Sequence, residues 1–188
     1  MPTPTSEQLR VAASGLSYRF QQLVGTTLLT RLPWPSSAPE YRVVSNARIE
    51  SALVNARAIS YLLIPKPDKG SVHFSHFEEN WQHPVSESAR TVLGPVSQYL
   101  AHPALRSLDR LMHPGEWPLP ELALVLGTGF ADLVESWTAA APWDESWFQP
   151  DPRVEVSRLR QSNLTPTPLS SHPDVARLTE ALQAYLNR

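Results

Sequence analysis

The sequence predicts an all-α protein, a bundle of four to five helices with an irregular extension containing proline and tryptophan at its C-terminal side. Three observations predict it. Long stretches place apolar residues at steps of three and four, and no two stretches alternate as paired strands would. The 19 prolines, against 7 glycines, fall mostly between those stretches as punctuation.

The first stretch runs from Ser6 to about Leu32, with Leu9, Ala13, Leu16, Phe20, Leu23 and Thr27 on one face and Ser6 as the N-cap. A second runs from Glu40 to Ile64, its apolar residues spread around most of the circumference, which predicts a central helix buried on nearly all sides. Residues 65–84 read as a long loop whose Phe74, Phe77 and Trp81 pack on the bundle. Residues 85–113 are helical again, broken or kinked at Pro95 and Pro103. Leu119, Leu122, Leu126, Phe130, Leu133 and Trp137 form a further stripe, in which the interior Gly127 and Gly129 imply close packing.

Residues 1–141 are expected to form the bundle and 142–188 a strapped extension of the same domain. Within it, 142–173 has no sustained period, so Trp143, Trp147 and Phe148 are expected to anchor it, and "VEVSRL" is open to a short strand. Val175, Leu178, Leu182 and Tyr185 predict a short closing helix capped at Ser171 or nearby.

Composition excludes several function classes. Sixteen basic residues against 18 acidic ones leave no whole-chain polycation, so any contact with RNA must come from a local patch. Cysteine is absent, which removes disulfides, thiolate nucleophiles and cysteine-ligated metal. The opening residues lack the pattern of a signal peptide and no stretch is long enough to span a membrane, so a cytoplasmic protein with no membrane partner is expected.

The candidate chemistry centres on "HPALRSLDRLMH", residues 102–113. At about 100° per residue, His102, Arg106, Arg110 and His113 fall within a stripe of roughly 80°, opposite Leu105, Leu108 and Leu111. Such a stripe is also what the solvated side of any amphipathic helix presents. On the second stretch Asn46, Glu50 and Arg57 lie within about 40° of one another. They read either as a structural ion-pair set or as substrate-binding groups facing residues 102–113 across a groove.

The run "ARIESALVNARAISYLL", the loop ending in "FEENW", and then "VSQYLAH", "LDR", "EWPLPEL" and "GFADLVESW" resemble uncharacterised bacterial proteins of the HEPN-like class over about residues 40–138. The resemblance implies a small helical bundle. It further implies a metal-independent ribonuclease of a toxin–antitoxin or phage-defence system, acting as a homodimer without a cofactor through an Arg-x(4–6)-His motif. Arg106 and His113 match that spacing, whereas the subset most similar to this chain emphasises the earlier histidine, here His102, and His113 is followed by Pro-Gly. RNA cleavage through its own 2′-hydroxyl needs a base, an acid and cations for the charge that builds on phosphorus, which histidine and arginine supply.

The loop offers a rival set: His73, His76 and His83, with Glu78 and Glu79, could ligate a metal, although their spacing matches no strict metal motif. Two function classes stay open, a HEPN-type ribonuclease or RNA-binding protein with a neutralising protein partner, and a non-catalytic helical module for dimerisation or protein interaction.

Overall fold

Helix α1 (Ser6–Leu29) starts from a reciprocal capping pair. Gln8 N–H donates to Thr5 Oγ1 at 3.2 Å and Thr5 N–H donates to Gln8 Oε1 at 2.8 Å, so the cap is Thr5, one residue ahead of the Ser6 expected. The computed structural model describes residues 4–29, 40–64, 72–79, 81–101, 117–138 and 141–188. After α1 come α2 (Tyr41–Leu63), α3 (Val85–Ala101), α4 (Leu119–Glu135), α5 (Pro152–Gln161) and α6 (Pro173–Leu186). Short 3-10 turns occupy Phe74–His76 and Glu145–Trp147, and no strand occurs among the described residues. The all-α class is therefore observed, with six helices among the described residues where four or five were expected.

The additional helix is α5, within the stretch predicted to be irregular. Pro152, Glu155, Val156 and Leu159 are its buried residues, spaced at helical steps. The period escaped notice because two of the four are a proline and a glutamate, which hydrophobicity does not mark. "VEVSRL" is thus helical, not a strand. Asp151 caps it, accepting from Arg153 N–H at 2.8 Å, and Pro152 occupies the first turn, where a missing N–H costs nothing.

Helix α2 also differs from expectation. Ile49, Ala52, Leu53, Ala56, Ile59 and Leu62 face the core, but Val43 is 71% exposed and Val54 is 46% exposed. The apolar residues on its outer side therefore do not mark burial all round. Helix α3 continues through Pro95, which has no N–H to give Thr91 but does not end the helix.

Helix α4 is the centre, packing on α1, α2, α3, α5 and α6. A Cβ added at Gly127 would collide with the Phe20 ring of α1, and one added at Gly129 would collide with Val85 of α3. The two glycines let neighbouring helices approach where any larger residue would hold them off. Phe74, Phe77, Trp143 and Phe148 join the same core, as the aromatic content of their segments predicted, while Trp147 is half-buried against it.

Two polar contacts fasten the C-terminal part. The buried Glu121 of α4 accepts from Thr167 N–H at 2.6 Å and Thr167 Oγ1 at 3.1 Å, tying residues 164–170 to the bundle. Arg153 donates to both carboxylate oxygens of Asp151 and to Glu145 Oε2 at 3.1 Å. Burial pushes the Asp151 carboxyl up, but the hydrogen bonds and charge of Arg153 outweigh it and hold the group below its ordinary value.

Glycine substitutions should separate the two kinds of site. Gly127→Ala should lose about 1–3 kcal/mol through overpacking, whereas Gly15→Ala, where nothing lies within 4 Å of the new methyl, should gain up to about 1 kcal/mol. Chemical denaturation of both variants measures this. The Asp151 carboxyl, depressed in the folded chain, should stabilise fully above the unfolded value of about 3.9 and lose that contribution as pH falls through the folded value. The acid limb of the stability curve below about pH 4 should accordingly be shallower in Asp151→Asn.

Candidate functional site

The described part of the candidate site lies along the outer side of α2 and the end of α3. Glu50 is exposed, and Asn46 and Arg57 are half-buried. This corrects the premise that the polar stripe sits on a buried helix face, since Glu50 reaches solvent and needs no buried partner. Arg57 Nη2 donates to Tyr61 Oη at 3.3 Å, and its guanidinium carbon lies 5.5 Å from the centre of the Tyr61 ring. That local pair, one helical turn long, orients the cation along α2.

Facing this stripe is a residue that sequence reasoning passed over. Tyr99 of α3 is 8% exposed, lies edge-on to Trp117 at 5.2 Å, and its hydroxyl has no hydrogen-bond partner among the described residues. Burial raises the phenol above its ordinary value, and the negative charge of Glu50 raises it further. It therefore remains a neutral donor at physiological pH. Its signal was available in "VSQYLAH", where Tyr99 lies three residues before His102, one helical step along the chain. His102, Arg106, Arg110 and His113 themselves lie outside the described residues.

The histidine-rich loop is held by its own imidazoles. His73 Nδ1 lies within hydrogen-bond distance of Ile64 O, at 3.0 Å. His76 Nδ1 accepts from His73 N–H at 3.0 Å. His83 Nδ1 accepts from Val85 N–H at 3.1 Å at the start of α3, and His83 Nε2 lies 2.7 Å from Asp132 Oδ2 of α4. With Nδ1 accepting, a neutral His83 ring carries its proton on Nε2 and donates to Asp132. Trp81 stacks on it at 5.3 Å. Each ring thus spends a nitrogen on the chain's own structure, and among the described residues no group of three His, Asp or Glu side chains is placed to hold a metal ion. Ser136 Oγ donates to Glu78 Oε2 at 3.1 Å, which ties that carboxylate to the end of α4, and Glu79 is exposed.

A regularity emerges from these contacts. His172 repeats the arrangement of His83: its Nδ1 accepts from Asp174 N–H at 3.3 Å, with Pro173 between them, at the start of α6. The cap is thus His172, the residue next to Ser171. At His172 an imidazole stands where Asp, Asn or Ser usually caps and Pro173 opens α6, whereas His83 stands two residues before the first residue of α3. His102-Pro103 and His113-Pro114 share the dipeptide.

No family model, no curated protein and no solved structure matches the chain. The cap reading has a direct check. His172→Ala should lower the denaturation midpoint by an amount equivalent to about 1 kcal/mol, and His172→Asn should recover most of it, because asparagine supplies the same acceptor.

Proposed function

We propose that the chain is a HEPN-type, metal-independent endoribonuclease acting as a homodimer in the cytoplasm, within a bacterial defence or toxin–antitoxin system, and held in check by a neutralising protein partner. The observation that carries this reading is the concentration of His102, Arg106, Arg110 and His113 in one twelve-residue stretch of a lightly charged chain. The all-helical architecture supports it, as does α2, which presents Asn46, Glu50 and Arg57 on one side.

In this mechanism one histidine takes the proton of a ribose 2′-hydroxyl, and the oxygen attacks the adjacent phosphorus. The second histidine gives its proton to the departing 5′-oxygen, leaving a 2′,3′-cyclic phosphate and a 5′-hydroxyl. Arg106 and Arg110 bear the charge that accumulates on the phosphate oxygens, and in a two-fold dimer each group appears twice in one cleft. Asn46, Glu50 and Arg57 bind the RNA beside the scissile bond. A second reading, a non-catalytic interaction module, draws support from the two described His-Pro pairs, in both of which the imidazole accepts a backbone N–H at the start of a helix.

Purified protein incubated with mixed cellular RNA should cut it equally with and without a chelator. Removing the acid or base, in His102→Ala or His113→Ala, should slow cleavage by about 10²-fold or more, and Arg106→Ala should slow it without a change in melting temperature. Cleavage that continues unchanged in all three variants would remove these residues from the site.

A further inference from the structure

His83 makes two hydrogen bonds that ask for opposite states of its ring. Nδ1 accepts from Val85 N–H at 3.1 Å, which requires that nitrogen to carry no proton. Nε2 lies 2.7 Å from Asp132 Oδ2 of α4, a contact that strengthens when the ring is charged. A neutral imidazole satisfies both, accepting on one side and donating on the other, and so links the start of α3 to α4. A charged imidazole has two donors and no acceptor, so it keeps Asp132 and gives up Val85. It also sets a positive charge at the N-terminus of α3, where the helix dipole disfavours one.

The surroundings decide which partner moves. The Val85 side chain lies against Gly129 of α4, where an added Cβ would collide with it, and Asp132 stands three residues further along the same helix. Both hydrogen-bond partners are therefore placed by the packing of α4, and the ring is the part that turns. Trp81 stacks on one of its faces, with the two planes 13° apart. The His83 side chain is 20% exposed and, with Gln82, Pro84 and Ser86, lines a cavity of about 390 Å³, so protons reach it from solvent.

Other charged groups stand around this link. Glu78 is tied to Ser136, one turn beyond Asp132, while Glu135 of α4 and Glu87 in the first turn of α3 are exposed. Towards the C-terminus the Tyr185 phenol is held above its ordinary value by burial and then by the Asp132 charge, with Arg188 acting in the opposite sense. That phenol is neutral wherever an imidazole titrates. We propose that His83 is a pH-sensitive latch: neutral, it holds Val85 N–H and Asp132 together, and protonated, it stays on Asp132 and releases Val85 N–H. Imidazole is the side chain whose charge changes between about pH 5 and 8. Proton uptake thus exchanges one link for another, and it alters the charge on the wall of the cavity. The latch does not depend on RNA cleavage.

Nuclear magnetic resonance of the full chain tests it, with amide exchange corrected for the intrinsic rate at each pH. At about pH 8 the ring nitrogen shifts of His83 should place its proton on Nε2, and the Val85 amide should be protected. At about pH 5 the protection of Val85 should fall by about 3–10-fold, the loss of one hydrogen bond, while that of Phe130 in α4 stays constant. His83→Asn keeps an acceptor for Val85 N–H but takes up no proton, so Val85 should stay protected at both pH values. Asp132→Asn removes the carboxylate that holds the charged ring, so release of Val85 should move to lower pH. Equal protection of Val85 at the two pH values in the wild type, an equal fall in His83→Asn, or a proton on Nδ1 at the higher pH would each overturn the proposal.

Discussion

The fold depends on what α4 admits at Phe130. Three rings from three separate parts of the chain meet this side chain: Phe20 of α1 at 6.0 Å, Phe74 of the 3-10 turn at 6.2 Å and Phe148 after α4 at 5.5 Å. Two of the contacts are edge-on, the geometry that the ring quadrupole favours, and each such pair contributes about 0.5–1.5 kcal/mol beyond burial. Gly127 and Gly129 make the convergence sterically feasible, because α1 and α3 can come close only where α4 has no side chain. Helices α1 and α3 and the histidine-rich loop therefore take their positions from one short stretch of α4.

The same centre explains why residues without regular periodicity are nonetheless ordered into the core. Phe77 touches Phe148 at 5.5 Å and Trp143 at 6.1 Å, while Trp143 Nε1 donates to Phe77 O at 2.9 Å and Trp137 Nε1 donates to Trp143 O at 2.7 Å. Indole rings serve here because they bury a large apolar surface and still satisfy a backbone carbonyl that a loop would otherwise leave unpaired. Glu121 serves similarly on the other side of α4, accepting the N–H and hydroxyl of Thr167. With α5 and α6 packed on α4 as well, the C-terminal part is continuous with the core.

The histidines divide by the same logic. An imidazole has one acceptor nitrogen when neutral, and at His83 and again at His172 it takes the backbone N–H two residues on, where a helix begins. Cation and carboxylate on α2 stand instead on its outer side, beside the buried Tyr99 hydroxyl. That hydroxyl, the Glu50 carboxylate and the Trp117 ring supply a donor, an acceptor and an aromatic edge at the place where the chain enters and leaves residues 102–116.

The sequence by itself determined the helical class, the places of α1, α2, α3, α4 and α6 and the burial of Phe74, Phe77, Trp143 and Phe148, because periodicity and aromatic content are local properties that a single chain displays. It also marked Gly127 and Gly129 as sites of close approach, since a glycine inside a helix needs a reason. Only the tertiary structure decided which apolar residues are inside. Val43 and Val54 of α2 and Val11 and Tyr18 of α1 are as apolar as their buried neighbours yet remain exposed, because burial depends on which partner a face meets. Helix α5 needed the structure too, its inward positions including a proline and a glutamate. The contacts of the candidate site lay furthest from view: Tyr99 beside Glu50, and His83 against Asp132, join residues distant along the chain, and no local pattern encodes a distance that only packing creates.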